Sequence, residues 1–292
     1  DYDIIFVPTD MCIISALPSR VKQKIVHLVD APVQSLFEYY TEFSNLTWQN
    51  RQEASILTKR AFRRADLIIA SSDWCKNESV KHCCIDASKI GVVEFGANMN
   101  MADIPGIAKK IDRSKPIRVY WSGVNWLRKG GDVAVEACRE LIRRDIPIEL
   151  HITGMSQLPA EVENLPWIVS HGFLDKNDSE QYHKLIDVLK QMDIFLFPSR
   201  AECSSIALCE ANGFGLPCFV YDTGGTANYV ENGKNGYMLP LSAGGKEFAD
   251  KIAETIEKDE LIRLSQGAAE QYRAKLNWDV WHNKVKALIT GL

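Results

Sequence analysis

The stretch from Asp193 to Gly225 constrains the fold more than any other part of the chain. Asp193 to Phe197 is a short, largely apolar run that Pro198 stops, which suits a strand buried on both faces of a parallel sheet. Ser204 to Phe214 reads as a helix, with Ser204 or Ser205 able to cap its start and Gly213 and Gly215 to end it. Leu216 to Tyr221 is a second buried strand, so the connection is a right-handed crossover. Such a unit places the chain in the α/β class.

The same stretch carries two carboxylates, Glu202 and Glu210, eight positions apart. Eight helical residues rise by about 12 Å and turn through about 800°. The pair therefore reads as two grips on separated parts of one extended ligand. Between them a helix start offers free N–H groups and a positive dipole end, the usual seat of a phosphate. Carboxylate, anion site and carboxylate in a row match the hydroxyls of a sugar, a diphosphate and a ribose. Two isolated Glu at this spacing would be better explained by a solvated helix face. The flanking strands and the Gly224-Gly225 turn favour the ligand, because they put the pair at the carboxyl end of a strand, where open α/β sheets bind.

The alternation extends through the chain. Ile4 to Val7, Lys24 to Val29, Asp66 to Ala70 and Ile90 to Phe95 read as buried strands, with helices at Val33 to Tyr40, Gln49 to Arg64 and Asp73 to His82. A mixed polar segment with Pro105 and the charged run Lys109 to Arg113 follows. A second series then starts afresh, with strands at Ile117 to Trp121, Ile148 to Thr153 and Trp167 to Ser170, and helices at Gly130 to Arg144 and Asp178 to Gln191. Helices at Lys246 to Lys258 and Glu260 to Lys275 lead to an apolar-striped segment from Trp278 to Ile289. The expected organisation is a partial first domain over 1–98, a linker over 99–116, a second domain over 117–277 and a terminal helix over 278–292.

With 34 Lys and Arg against 38 Asp and Glu, the chain offers no general attraction to nucleic acid. Contact with a membrane surface is not indicated. The eight cysteines show no paired spacing and read as buried apolar residues in a reducing cytoplasm, so three Asn-x-Ser/Thr sites are discounted. Asp1-Tyr-Asp3 has the form of an Asp-x-Asp metal motif but enters a buried strand. The histidines lack metal-ligand spacing, and neither a metal nor a cofactor is expected.

Ala70-Ser-Ser-Asp-Trp74, Val92 to Asn98, Ser122 to Gly131, Ile152-Thr-Gly154, Glu202 to Glu210 and Asp222-Thr-Gly-Gly225, in this order, make the chain resemble the retaining glycosyltransferases of family 4. That resemblance covers the chain from about Asp66 onward. It implies two Rossmann-like domains of the GT-B type. It also implies a Gly-rich opening well ahead of the position that Asp1 matches, so the first domain is expected to be incomplete or naturally shortened.

By the same resemblance, Glu210 holds the ribose hydroxyls and Glu202 addresses the transferred sugar. Lys129 meets the diphosphate, together with Gly123, Ser204, Ser205, Ile206 and Gly224, while Phe173 lies in the loop against which the base stacks. The family's arginine position is Val124 here, which leaves one phosphate cation in question. Arg128 is the substitute, although neighbours on a turn are not expected to point the same way. Ser204-Ser205 replaces the usual Phe-Gly. Asp30 and His27 fall near the family's acceptor-side Asp or His, and a core His beside a capping Asp explains them equally well.

The expected activity is retaining transfer of a sugar from a UDP, GDP or ADP sugar to a hydroxyl of a glycan, lipid or small acceptor. A donor-binding module without turnover and a nucleotide-sugar epimerase are the alternatives. The expected location is cytoplasmic, with peripheral membrane contact the other option.

Overall fold

The computed structural model describes residues 2–19, 21–112 and 114–292. Asp1 of the Asp-Tyr-Asp motif and Arg113 of the charged run lie outside them. The chain divides into two compact units, one running to Phe95 and including Trp278–Leu292, the other Gly96–Asn277.

The first unit holds β1 (Ile4–Pro8), α1 (Met11–Ala16), β2 (Lys24–Val29), α2 (Trp48–Arg64), β3 (Leu67–Ala70), α3 (Asp73–Cys83) and β4 (Ile90–Val92). Its four strands are parallel in the order β1-β2-β3-β4. The second unit holds β5 (Ile117–Ser122), α4 (Gly131–Arg143), β6 (Ile148–Thr153), α5 (Ala160–Glu163), β7 (Ile168–Ser170), α6 (Ser179–Gln191), β8 (Ile194–Phe197), α7 (Ile206–Gly213), β9 (Cys218–Tyr221), β10 (Gly236–Leu239), α8 (Gly245–Glu257) and α9 (Leu261–Ala274). Its sheet is also parallel, in the order β10-β9-β8-β5-β6-β7. The last helix, α10 (Trp278–Thr290), belongs to the first unit.

Alternation along the central strands shows why both faces of the second sheet must be covered. Val119 and Trp121 of β5, Leu196 of β8 and Phe219 of β9 point to one face, against α4 and α8. Tyr120, Phe195, Phe197 and Val220 point to the other, against α6, α7 and α9. Residues 96–116 are laid against this unit: Ala97, Met99 and Ile104 enter its core, and the Gly106 amide donates to the Gly213 carbonyl (2.9 Å). In the first unit, Ile68 and Ala70 of β3 meet Phe62 of α2, while Leu67 and Ile69 share a cluster with Val285 of α10.

Several elements differ from the sequence reading. The helix expected over Val33 to Tyr40 is a single 3-10 turn, Val33–Ser35, and Glu38 takes a left-handed φ of 60°. Aromatic side chains have weak helix propensity, and here packing decides: Tyr39 lies against Trp74 with ring centroids 5.6 Å apart. Helix α1 was not anticipated; Asp10 caps it, accepting from the amides of Cys12 and Ile13. Strand β10 was also missed, and β4 stops at Val92, short of Phe95.

Candidate active site

In the second sheet the chain runs from β5 outward to β6 and β7 on one side, and returns as β8 on the other. The gap between the carboxyl ends of β5 and β8 is therefore the topological switch point, where a parallel sheet leaves a crevice. The two loops leaving it supply most of the residues singled out above.

The loop after β5 is a tight helical turn. Asn125 Oδ1 accepts the Arg128 amide (3.0 Å), and the Asn125 carbonyl accepts that of Lys129 (3.0 Å). Trp121 Nε1 donates to the Lys129 carbonyl, fixing the chain where the lysine side chain leaves it. Gly130 follows at φ 71°, and a Cβ there would lie 2.0 Å from the Pro198 carbonyl oxygen, so only glycine lets the two loops meet. The loops are tied directly by the Arg200 amide donating to the Arg128 carbonyl (2.8 Å). Arg200 also forms a two-pronged ion pair with Asp132.

Glu202 is buried and lies in the loop after β8, ahead of α7, and not on the helix as its spacing suggested. The helical rise between the two carboxylates therefore does not describe the site. Lys129 Nζ stands 2.5 Å from Glu202 Oε1, Ser199 Oγ donates to the same oxygen (2.6 Å), and Arg128 Nη1 is 3.9 Å away. Arg128 and Lys129 thus converge on one carboxylate, contrary to the divergence expected of neighbours on a turn. Lys129 also sits over the Phe197 ring, 4.8 Å from its centroid. Two cations on one carboxylate leave a net positive charge beside a helix start.

That helix start is Ile206, with Ser205 in the N-cap position. Neither Ser204 nor Ser205 caps it through its side chain, which corrects the expected cap. Ser205 Oγ is buried and, among the described residues, has no hydrogen-bond partner. The Asp222 to Gly225 turn closes behind: the Gly225 amide donates to the Glu202 carbonyl (3.0 Å), and Gly224 is left-handed at φ 51°.

Glu210 lies one turn into α7, about 6 Å along the axis from Ile206. It lines a cavity of about 170 Å³ with Tyr120, Ser122, Gly123, Val124, Thr153 and Lys176 among its neighbours. Phe173 and Leu174 form a wall shared with an open groove of about 730 Å³ along α6. That groove is the larger hollow, but the charged and glycine-rich loops meet at the smaller one. Gly154, at φ 91°, packs on the Gly123 backbone, and a side chain at Gly123 would strike Lys129. Burial pushes the Glu210 carboxyl above the usual range, against the pull of the Lys176 ammonium and the Asn98 amide. Lys176, not singled out from the sequence, is ion-paired with Glu210. No spacing rule signals it, because the loop before α6 and the helix α7 meet only in three dimensions.

Phe173 is exposed, as is Val124. Asp30 belongs to the first unit, where it lines a separate cavity of about 160 Å³ with His27, Met11 and Phe62. Burial raises the Asp30 carboxyl and lowers His27, whose Nδ1 lies 3.2 Å from the Val7 carbonyl. Among the described residues, no group of three or more His, Cys, Asp or Glu is arranged to hold a metal ion.

Two α/β units, each built on a parallel sheet and the second with a charged crevice at its switch point, define a Rossmann-like fold of the GT-B type. Residues 115–258 match the model of the family of glycosyl transferases group 1.

WcaL of Escherichia coli (strain K12), provisionally named a colanic acid biosynthesis glycosyltransferase, is 24% identical over 280 residues, covering 92% of this chain and 64% of its own length. The D-inositol 3-phosphate glycosyltransferase of Corynebacterium efficiens is 27% identical over 248 residues, covering 77% and 56% respectively. The chain thus spans less than two thirds of these curated relatives. In fold, it superposes on sucrose-phosphate synthase of Thermosynechococcus elongatus with a TM-score of 0.73, at 16% identity and over 99% of this chain and 73% of that one. The Anabaena HepE complex with UDP-glucose gives 0.72, at 16% identity and over 100% and 79%. Among the described residues, no helix is long and apolar enough to cross a membrane.

Proposed function

We propose that the protein is a retaining glycosyltransferase that moves a sugar from a nucleoside diphosphate sugar to an acceptor hydroxyl. The observation that carries this reading is the order of groups at the second unit's crevice. Arg128 and Lys129 converge on Glu202 at the start of α7, Ser205 brings a buried hydroxyl there, and Glu210 stands one turn on, in its own cavity. A diphosphate at the helix start would meet both cations and the Ile206 end of the dipole. Glu210 would take the ribose hydroxyls, Glu202 would face the sugar, and Phe173 would flank the base. UDP or UDP-glucose is bound in the HepE structures, which supports a uridine donor among the three nucleotides.

The transfer breaks the bond between the anomeric carbon and the diphosphate oxygen and forms one from that carbon to the acceptor oxygen. The departing phosphate takes the acceptor proton, so retention needs no separate base. Charge growing on the diphosphate is what Lys129 and Arg128 would stabilise. Neither a metal nor a cofactor enters this scheme. Asp30 is proposed to orient the acceptor, a glycan, lipid or small molecule. The eight free cysteines, six of them buried, support a reducing, cytoplasmic setting.

The test is calorimetric titration with UDP, GDP and ADP, followed by assay of nucleoside diphosphate release from the matching sugars with and without acceptors. Binding of one nucleotide and acceptor-dependent release are expected. Tight binding with no release under any acceptor would replace the enzyme by a donor-binding module, and sugar conversion without acceptor would replace it by an epimerase.

A further inference from the structure

We propose that Lys176 is a positioning residue for the nucleotide: it holds Glu210 as a carboxylate inside its cavity and thereby sets the ribose affinity of the site. The inference rests on the donor reading above and concerns a residue outside the motif that suggested it.

Glu210 projects from α7 into a small cavity walled by β5, β6 and the loop before α6. Its side chain is 12% exposed, whereas that of Lys176, at the rim, is 35% exposed, and the two are ion-paired. The other groups that face the carboxylate are poor substitutes for a cation. Tyr120 of β5 spends its hydroxyl on Thr153 Oγ1 (2.7 Å), and Tyr182 of α6 donates to Asp103 (2.9 Å). The Asn98 amide supplies one hydrogen bond. Burial raises the pKa of both tyrosines, and the nearby Glu210 carboxylate adds to the rise. Lys176 is thus the cation paired with Glu210 among the described residues.

A carboxylate accepts hydrogen bonds from both hydroxyls of a ribose, whereas a protonated carboxyl must turn one oxygen into a donor. Burial favours the protonated form, and the ammonium opposes it. Lys176 therefore acts on the nucleotide through Glu210. Because it lies at the open rim of a loop, its replacement leaves the core of the unit untouched.

The experiment measures dissociation constants of UDP, GDP and ADP, and of the 2′,3′-dideoxy form of whichever binds, from pH 5.5 to 9, for the intact chain and for Lys176→Met and Lys176→Arg. For Lys176→Met, affinity for the ribonucleotide is expected to fall by roughly tenfold or more at low pH and to recover as the pH rises, while the dideoxy form changes little. Lys176→Arg should restore the original profile. A loss equal for both nucleotides at every pH would make Lys176 a phosphate contact and overturn the inference, as would an unchanged profile in Lys176→Met. If the unaltered protein binds none of the three nucleotides, the donor reading itself fails and takes the inference with it.

Discussion

At the scale of residues, the division of labour proposed for Glu202 and Glu210 makes distinct predictions. Glu210→Ala removes a charged acceptor from a buried site and is expected to weaken nucleotide binding by about 1.5 to 3 kcal/mol per lost hydrogen bond, read by titration calorimetry. Lys129→Ala is expected to lower kcat by about a hundredfold or more and to change donor affinity less, since in the proposed reaction it would meet charge that grows during transfer. Removing Lys129 also leaves the buried Glu202 with Arg128 at 3.9 Å, so a melting curve must show the variant folded before its kinetics are read. Gly130→Ala should destabilise the second unit by more than about 1 kcal/mol, because the new methyl would meet the Pro198 carbonyl at a φ only glycine holds easily. Gly123, Lys129, Glu202, Ser205, Ile206 and Glu210 could be singled out because the resemblance that carries them lies in short motifs beside readable strands. Lys176 could not be, since its partner lies 34 positions away.

At the scale of elements, the outer strands β6 and β7 are linked by a histidine pair. His151 Nδ1 lies 3.0 Å from His171 Nε2, with the rings stacked 5.2 Å apart. Burial and the neighbouring His151 press the His171 pKa from 6.5 down to about 4, and burial lowers His151 as well. The folded state thus prefers both rings neutral, while the unfolded chain takes up protons at its ordinary pKa. Stability from this pair is present above pH 6.5 and is lost as the pH falls toward about 4. Denaturant melts across that window should show the decline, and His171→Gln should flatten it.

Element lengths were read most securely where both faces of a strand are apolar, as in Asp193 to Phe197. They were read least well where a few residues depend on a partner. Strand β10 exists because Gly236 can approach the β9 backbone, where a Cβ would lie 1.9 Å from the Cys218 carbonyl oxygen. The aromatic segment after Pro32 gives up a helix to pack Tyr39 on Trp74.

At the scale of the molecule, the chain visits its two units unevenly: the first unit is completed only by the last helix. Val285 of α10 closes a cluster with Val26, Leu67, Ile69 and Val93, and Leu288 lies against Gly91. A chain ending at Asn277 should therefore expose that cluster and lose stability in the first unit, seen as a lowered thermal transition. Nucleotide binding by the second unit should persist, because Lys129, Glu202 and Glu210 all lie within Gly96–Asn277. Nucleotide at a hundred times its Kd should raise the stability of the second unit by about 2.7 kcal/mol.

What the amino-acid order alone determined was local: which runs are strands and helices, that the strands lie parallel, and which glycines, cations and carboxylates stand at their carboxyl ends. These follow from backbone sterics and apolar periodicity, which act over a few residues. The tertiary structure decided which side chains meet. It brought Arg128 and Lys129 onto Glu202, set Lys176 against Glu210, stacked His151 on His171 and placed α10 on the first sheet. Those pairings join segments far apart in the chain, and only the packing of whole layers around a shared core fixes the distances between them.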